Sequence, residues 1–172
     1  MSAFLRPFLD RWRFFALLAS AAMLAIAHAF QTFGGLAPCE LCLKQRTVYW
    51  VAGAIAAAAM IVVRLPGGPR WREASCWLLA LVFLASALVA GYHAGVEWRF
   101  WPGPASCSGG GKVSMAALKD LLNGAGVKMP QCDQPAWVFA GLSMAGWNTV
   151  ASVILVTLSL AAALREKAKA KA

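Results

Sequence analysis

The hydrophobic positions of this chain fall into four long runs separated by more polar segments. The runs cover residues 14–30, 47–63, 76–92 and 147–164, so each contains 17 or 18 residues. At 1.5 Å per residue, such a helix is about 25 Å long, close to the roughly 30 Å hydrocarbon core of a bilayer. Because backbone groups in lipid must be satisfied within the segment, we predict helices. The pattern predicts an all-α integral membrane four-helix bundle that forms a single domain over residues 1–172.

The composition supports a lipid environment. Apolar residues make up 60% of the chain and charged residues only 13%, whereas soluble domains have about 45–50% and about 25%. Tryptophans flank the runs, as in the aromatic belts of membrane proteins, and we expect them at the two interfaces: Trp12, Trp71, Trp98 and Trp101.

The net charge of +9 comes from short basic clusters at the ends of the runs, not from an extended stripe that could follow a nucleic acid. Ten of the sixteen Lys and Arg residues lie in the N-terminal tail, in the segment 64–75 and in the C-terminal tail. The positive-inside rule therefore predicts cytoplasmic termini and outward-facing loops at 31–46 and 93–146. An uncleaved first helix is favoured over a signal peptide because its apolar run exceeds the usual 7–15 residues.

The two connections that follow the second and third runs differ in character. The segment 65–69 is rich in Pro and Gly and predicts a tight turn. In the large outer loop, residues 114–123 predict a short amphipathic helix with Ser114 as N-cap and Gly124 as the stop. Its apolar stripe fits either a position on the membrane surface or packing against the rest of the loop.

Five cysteines limit the possible chemistry, and four of them lie in the predicted outer loops: Cys39, Cys42, Cys107 and Cys132. A zinc site is disfavoured because 25 positions separate the last two, and haem attachment because no His follows the C-x-x-C. A thioredoxin fold would need a βαβ pattern, which the chain lacks. Two cysteine pairs therefore remain, either structural or redox-active. Cys76, near the inner end of the third helix, is interpreted as a packing residue.

The spacing of the first pair favours activity, because a disulfide across two residues closes too small a loop to be a good staple. Cys42 and Arg46 share a helix face if the second helix begins near Leu41. Arg46 and the helix N-terminus would then stabilise a Cys42 thiolate, although Arg46 could also be an interfacial anchor. The chain has no haem, nucleotide or iron–sulfur motif, and a membrane quinone is an electron acceptor that fits a C-x-x-C at the bilayer edge.

With these features the chain resembles the DsbB family of bacterial disulfide bond formation proteins. The resemblance rests on Pro38-Cys39-Glu40-Leu41-Cys42 followed by Arg46, on Cys107 and Cys132 in the second outer loop, and on residues 141–148 before the fourth helix. It implies an inner-membrane protein dithiol:quinone oxidoreductase whose active loops face the periplasm. The partner would be a DsbA-like thiol oxidase, and the cofactor would be ubiquinone or menaquinone.

The resemblance also implies roles for individual residues. Cys107 and Cys132 would form the disulfide that the partner attacks at Cys107. Cys132 would then pass electrons to Cys39, and Cys42 would react with the quinone beside Arg46. Gln45 departs from the family pattern, since the best-known members carry an acidic residue there.

Two further residues, His93 and Glu97, are candidates for handling quinone protons, since they are four apart at the outer end of the third helix. The alternative is an interfacial polar pair outside the quinone site. His28 is interpreted as a packing or interfacial residue.

Two other functions are compatible with parts of the pattern. A quinone or epoxide reductase resembling the vitamin K epoxide reductase family would place its loop cysteines before the C-x-x-C, whereas here they follow it. A four-span scaffold with purely structural outer disulfides is the alternative that involves no catalysis.

Overall fold

Four long helices form the protein, and a computed structural model describes residues 5–104, 107 and 132–171. A short helix α1 (Leu5–Asp10) precedes α2 (Trp12–Thr32), α3 (Glu40–Val62) and, after a 3₁₀ turn at Gly68–Arg70, α4 (Trp71–Glu97). A two-stranded antiparallel hairpin, β1 (Val138–Phe139) and β2 (Leu142–Ser143), leads directly into α5 (Met144–Lys171). The amphipathic helix predicted for residues 114–123 lies outside the described residues.

Each of the four long helices is long and apolar enough to cross a membrane. This confirms the prediction of an all-α integral membrane bundle. The helices extend beyond the predicted runs at nearly every end, because helical hydrogen bonding continues into polar residues that hydropathy does not count. The largest difference is in α3, which begins at Glu40, so that the second half of the predicted loop 31–46 is helical.

Small residues mediate the packing between helices. α2 packs on α3, α3 on α4 and α4 on α5. Alanines are buried where these helices meet, including Ala52, Ala56, Ala80, Ala90 and Ala162. Small side chains let helix backbones approach closely, which is how membrane helices associate when lipid is as apolar as their own side chains. Large apolar side chains such as those of Leu81, Leu88 and Ile154 point outward.

The helices α2 and α5 touch mainly at the end that carries the chain termini. There the indole Nε1 of Trp12 donates to Ser159 Oγ at 2.9 Å, and Trp12 is only 1% exposed. The expectation that Trp12 lies at the lipid interface is therefore wrong, since the side chain packs between helices, whereas Trp71, Trp98 and Trp101 are exposed.

Asp10 adds an ionic contact at the same end. Its carboxylate accepts hydrogen bonds from Arg165 at 2.7 and 3.1 Å and from Lys169 at 2.5 Å. The hydrogen bonds from Arg165 and Lys169 lower the pKa of Asp10 from 3.8 to about 2. Towards the opposite end α2 and α5 make few contacts, which leaves room for a cavity between them.

Candidate functional site

The first cysteine pair lies at the N-terminus of α3. Cys39 is the N-cap residue, and its Sγ accepts a hydrogen bond from the backbone N–H of Cys42 at 3.3 Å. The two sulfurs are 2.8 Å apart as free thiols. The hydrogen bond with Cys42 and burial both raise the pKa of Cys39, which favours its thiol form. The N-terminus of α3 therefore contacts the sulfur of Cys39, and stabilisation of a Cys42 thiolate by Arg46 and this helix end stays a prediction.

Arg46 lies one turn further along α3 than Cys42, as the predicted helix start requires. Its guanidinium donates to the carbonyl oxygen of Ala27 at 2.9 Å and to Gln31 Oε1 at 2.5 Å. Both acceptors belong to the last two turns of α2. Arg46 thus ties the end of α2 to α3 beside the cysteines.

The second cysteine pair packs against the first. Cys107 and Cys132 form a disulfide with an S–S distance of 2.01 Å, and both residues are buried. They belong to one apolar cluster with Cys39, Leu41 and Val96, against which Cys42 also packs. The four cysteines named from the sequence are therefore brought together, although the last two are 25 positions apart in the chain.

His93 and Glu97 occupy the last two turns of α4 and face the same place. The Nε2 atom of His93 lies 3.6 Å from Cys39 Sγ and 3.8 Å from Glu97 Oε1. Both side chains are only 5% exposed. Ser143 donates a hydrogen bond to Glu97 and also accepts one from the backbone N–H of Gly146, so that it caps α5. This pair is therefore not an exposed interfacial pair.

A cavity of about 1130 Å³ connects these groups. One wall carries Cys39, Cys42, Arg46, His93 and Glu97, and most other lining residues are apolar, contributed by α2, α5 and the segments beside them. The lining includes Met23, Leu24, Ile26, Phe30, Leu36, Trp137, Phe139, Met144 and Trp147. An apolar cavity with a few convergent polar groups is the usual form of a small-molecule site.

The lining of this cavity fits a quinone. Its apolar walls suit the ring and isoprenoid tail, and Arg46 and His93 carry N–H groups that could donate to carbonyl oxygens. Three of these side chains are also close enough to hold a metal ion, since Cys39, Cys42 and His93 offer ligand atoms that all lie within 4.8 Å of one another.

The sequence interpretation named Gln45 only as a departure from the family pattern and missed Tyr49 and Asn148 as members of the site. Gln45 and Asn148 line the cavity and are buried, and Asn148 donates to Gln45 Oε1 at 2.5 Å. Their polar character within apolar runs could have indicated them, because polar side chains in membrane spans are rare and usually face the bundle interior. His28, by contrast, is exposed on α2 and donates its Nδ1–H to the carbonyl oxygen of Leu24 at 2.8 Å.

The chain is similar in sequence to known proteins of one family. Residues 10–162 match the family described as Disulfide bond formation protein DsbB. A relative named Disulfide bond formation protein B, from Xanthomonas oryzae pv. oryzae, is 32% identical over 95% of this chain and 96% of its own length. Proteins with the same name are 32% identical in Methylococcus capsulatus, over 81% and 85% of the two chains, and 29% identical in Marinobacter nauticus, over 91% and 93%.

No solved structure matches the chain. The family and sequence matches nevertheless confirm the resemblance that the cysteine pattern indicates.

Proposed function

Because the chain belongs to the DsbB family of disulfide bond formation proteins, we propose that it is a quinone-dependent protein dithiol oxidase. The observation that carries the proposal is the placement of Cys39 and Cys42. They pack against the Cys107–Cys132 disulfide on one side and line the large apolar cavity on the other. Such a position suits a pair that exchanges electrons between protein thiols and a lipid-soluble acceptor.

The thiol steps proceed by attack of a thiolate on a disulfide sulfur. A thiolate of a reduced DsbA-like partner attacks Cys107, which breaks the Cys107–Cys132 bond and forms a mixed disulfide. In the oxidised form of the first pair, Cys39 and Cys42 are also joined by a disulfide. Cys132, released as a thiolate, attacks Cys39 in that bond and displaces Cys42 as a thiolate. The second thiol of the partner then attacks its own sulfur in the mixed disulfide and releases Cys107. Cys107 in turn attacks Cys132 and frees Cys39. One disulfide has thus moved to the partner, and Cys39 and Cys42 are left as thiols.

Reoxidation of Cys39 and Cys42 removes two electrons and two protons. A quinone held in the cavity would supply this chemistry as the acceptor of both the electrons and the protons. An acceptor of high potential is needed, since DsbA has a potential of about −120 mV against about −220 to −260 mV for glutathione. Passing electrons uphill by about 100 mV would cost about 5 kcal/mol.

The polar wall of the cavity has distinct tasks in this scheme. Arg46 orients a carbonyl oxygen by donating hydrogen bonds, while its contacts with α2 keep the guanidinium in place. Glu97 lines the same cavity as the thiols and could hold a proton leaving them, and Ser143 fixes its position. His93 lies between Glu97 and Cys39.

We further propose that this site faces the periplasm from the bacterial inner membrane. The support is the excess of Lys and Arg at the opposite end of the bundle. A thiol oxidase also belongs on the oxidising side of that membrane.

Right-side-out vesicles that contain the protein and ubiquinone test the reaction and the orientation together. We expect them to oxidise an externally added, reduced DsbA-like protein, and inverted vesicles to leave it reduced.

Cys39→Ser or Cys42→Ser should lower the rate at least a hundredfold, because no second disulfide can then form. Cys76→Ala is the matched control and should retain activity, since Cys76 packs at the far end of the bundle beside Arg13. Equal rates for Cys39→Ser and Cys76→Ala would rule out the proposal and leave a structural scaffold.

A further inference from the structure

A file of hydrogen-bonded polar side chains runs through the otherwise apolar centre of the bundle and ends at His93. The Tyr49 hydroxyl donates to Asn148 Oδ1 at 2.5 Å, and Asn148 Nδ2 donates to Gln45 Oε1 at 2.5 Å. Gln45 Nε2 in turn lies 2.8 Å from His93 Nδ1. Ser152 Oγ adds a further link 3.0 Å from the Tyr49 hydroxyl. All five side chains are buried, and each buried polar group needs such a partner to offset its desolvation.

The direction of these bonds determines where the ring proton of His93 lies. An amide nitrogen can only donate, so His93 Nδ1 must accept from Gln45, and a neutral imidazole then carries its proton on Nε2. We propose that Gln45 is a positioning residue that holds neutral His93 with its proton on Nε2, pointing at Cys39 and Glu97. Asn148 and Tyr49 support Gln45 by fixing which end of its amide faces the ring.

The surroundings of Nε2 favour the same tautomer. Glu97 Oε1 lies 3.8 Å from Nε2, and a carboxylate only accepts hydrogen bonds. If every amide of the file were reversed, Nδ1 would carry the proton. The bare lone pair of Nε2 would then face the oxygen of Glu97, which is repulsive.

The inference rests on the proposed function for its chemical consequence. The Nε2–H group stabilises Cys39 by donating whenever that sulfur becomes a thiolate, as happens when Cys107 displaces it. The file itself does not conduct protons, because the amides of Gln45 and Asn148 have no readily exchanged proton to pass on. The same tautomer also removes the Nε2 lone pair that a metal bound with Cys39 and Cys42 would need.

Nitrogen-15 NMR of histidine-labelled protein in lipid bilayers reports the tautomer directly. We would use quinone-free protein reduced with dithiothreitol at neutral pH, so that neither partner nor oxidase activity is involved. The chain has only two histidines, and His28 is an internal reference because its Nδ1 must donate to the carbonyl of Leu24. We expect pyrrole-type Nε2 and pyridine-type Nδ1 for His93, the opposite of His28. A pyrrole-type Nδ1 in His93 would overturn the proposal without any variant.

Two substitutions locate the cause in Gln45. In Gln45→Glu the carboxylate can only accept, so the Nδ1 signal of His93 should change to pyrrole type. Gln31→Glu is the matched control, because Gln31 bonds Arg46 and not His93, and it should leave the His93 signals unchanged. An unchanged spectrum in Gln45→Glu would contradict the proposal. If the wild-type protein gave the expected spectrum but failed to oxidise the thiols of a DsbA-like partner, only the proposed function would be contradicted.

Discussion

At the scale of single residues, glycines in the last turns of α4 decide how closely the following segment can pack. A Cβ atom at Gly95 would lie 2.1 Å from the nearest ring atom of Trp101, so only glycine fits there. The indole of Trp101 stacks on Tyr92 and donates to the carbonyl oxygen of that residue at 3.0 Å. This contact holds the segment after α4 against the helix, next to the stretch that leads to Cys107.

Replacing Gly95 by Ala should therefore destabilise the protein. The methyl group displaces Trp101 at a cost of about 1–3 kcal/mol, the usual range for overpacking. Gly91→Ala is the matched control, one turn earlier on α4, because its Cβ would meet only a methyl group of Thr149 at 3.7 Å. There the higher helix propensity of Ala should stabilise by up to about 1 kcal/mol. Thermal unfolding in detergent measures both, and a Gly95→Ala protein as stable as Gly91→Ala would contradict this account.

Some contacts between single residues of the site could be predicted from the sequence, and others could not. Cys39, Cys42 and Arg46 are local in the chain, and helical spacing was enough to place them together. The contact of Gln45 with His93 joins α3 to α4, and no spacing within one helix predicts which residues of two helices meet. Asn148 and Ser152 are nevertheless four positions apart, so the sequence alone places these two polar residues on one face of a helix.

At the scale of elements, the helices continue into polar residues that make contacts at their ends, and hydropathy alone finds only the lipid-facing middle of each helix. Both ends of α2 are bound by ionic groups. Asp10, just before the start of α2, contacts Arg165 and Lys169 of α5. The last turns of α2 accept hydrogen bonds from Arg46 of α3. These contacts hold α2 to α5 at the terminal end and to α3 at the cysteine end. The cavity therefore lies where α2 and α5 are not joined.

Asp10→Asn should weaken the terminal contact in a pH-dependent way. The pKa of Asp10 is lowered from 3.8 to about 2, so its stabilising contribution is present above about pH 4 and is lost as the pH falls towards 2. The carboxylate is 38% exposed, which limits the loss to about 1 kcal/mol.

Unfolding in detergent at a series of pH values measures the effect. The difference between wild type and Asp10→Asn should disappear near pH 2. Asp133→Asn, an exposed carboxylate at the other end of the bundle, is the control and should show little change at any pH. A difference for Asp10→Asn that grew as the pH fell would contradict the assignment.

At the scale of the whole molecule, the bundle connects two environments for one pair of thiols. Cys39 and Cys42 lie at the N-terminal end of α3. The Cys107–Cys132 disulfide packs against them, and an apolar cavity beside them reaches between α2 and α5. The four-helix architecture was predictable from the apolar runs. The cavity was not, because it depends on where two helices separate, and that is set by contacts far apart in sequence.

In the proposed function, electrons leave a protein dithiol through this site and reach a quinone. The most direct measurement mixes purified protein with excess reduced DsbA-like partner and limiting ubiquinone without oxygen. The absorbance of the quinone and the thiols of the partner are then followed together. We expect one quinone to be reduced for every partner disulfide formed, and the reaction to stop when the quinone is exhausted. Partner oxidation that continued after that point, or proceeded without quinone loss, would contradict it.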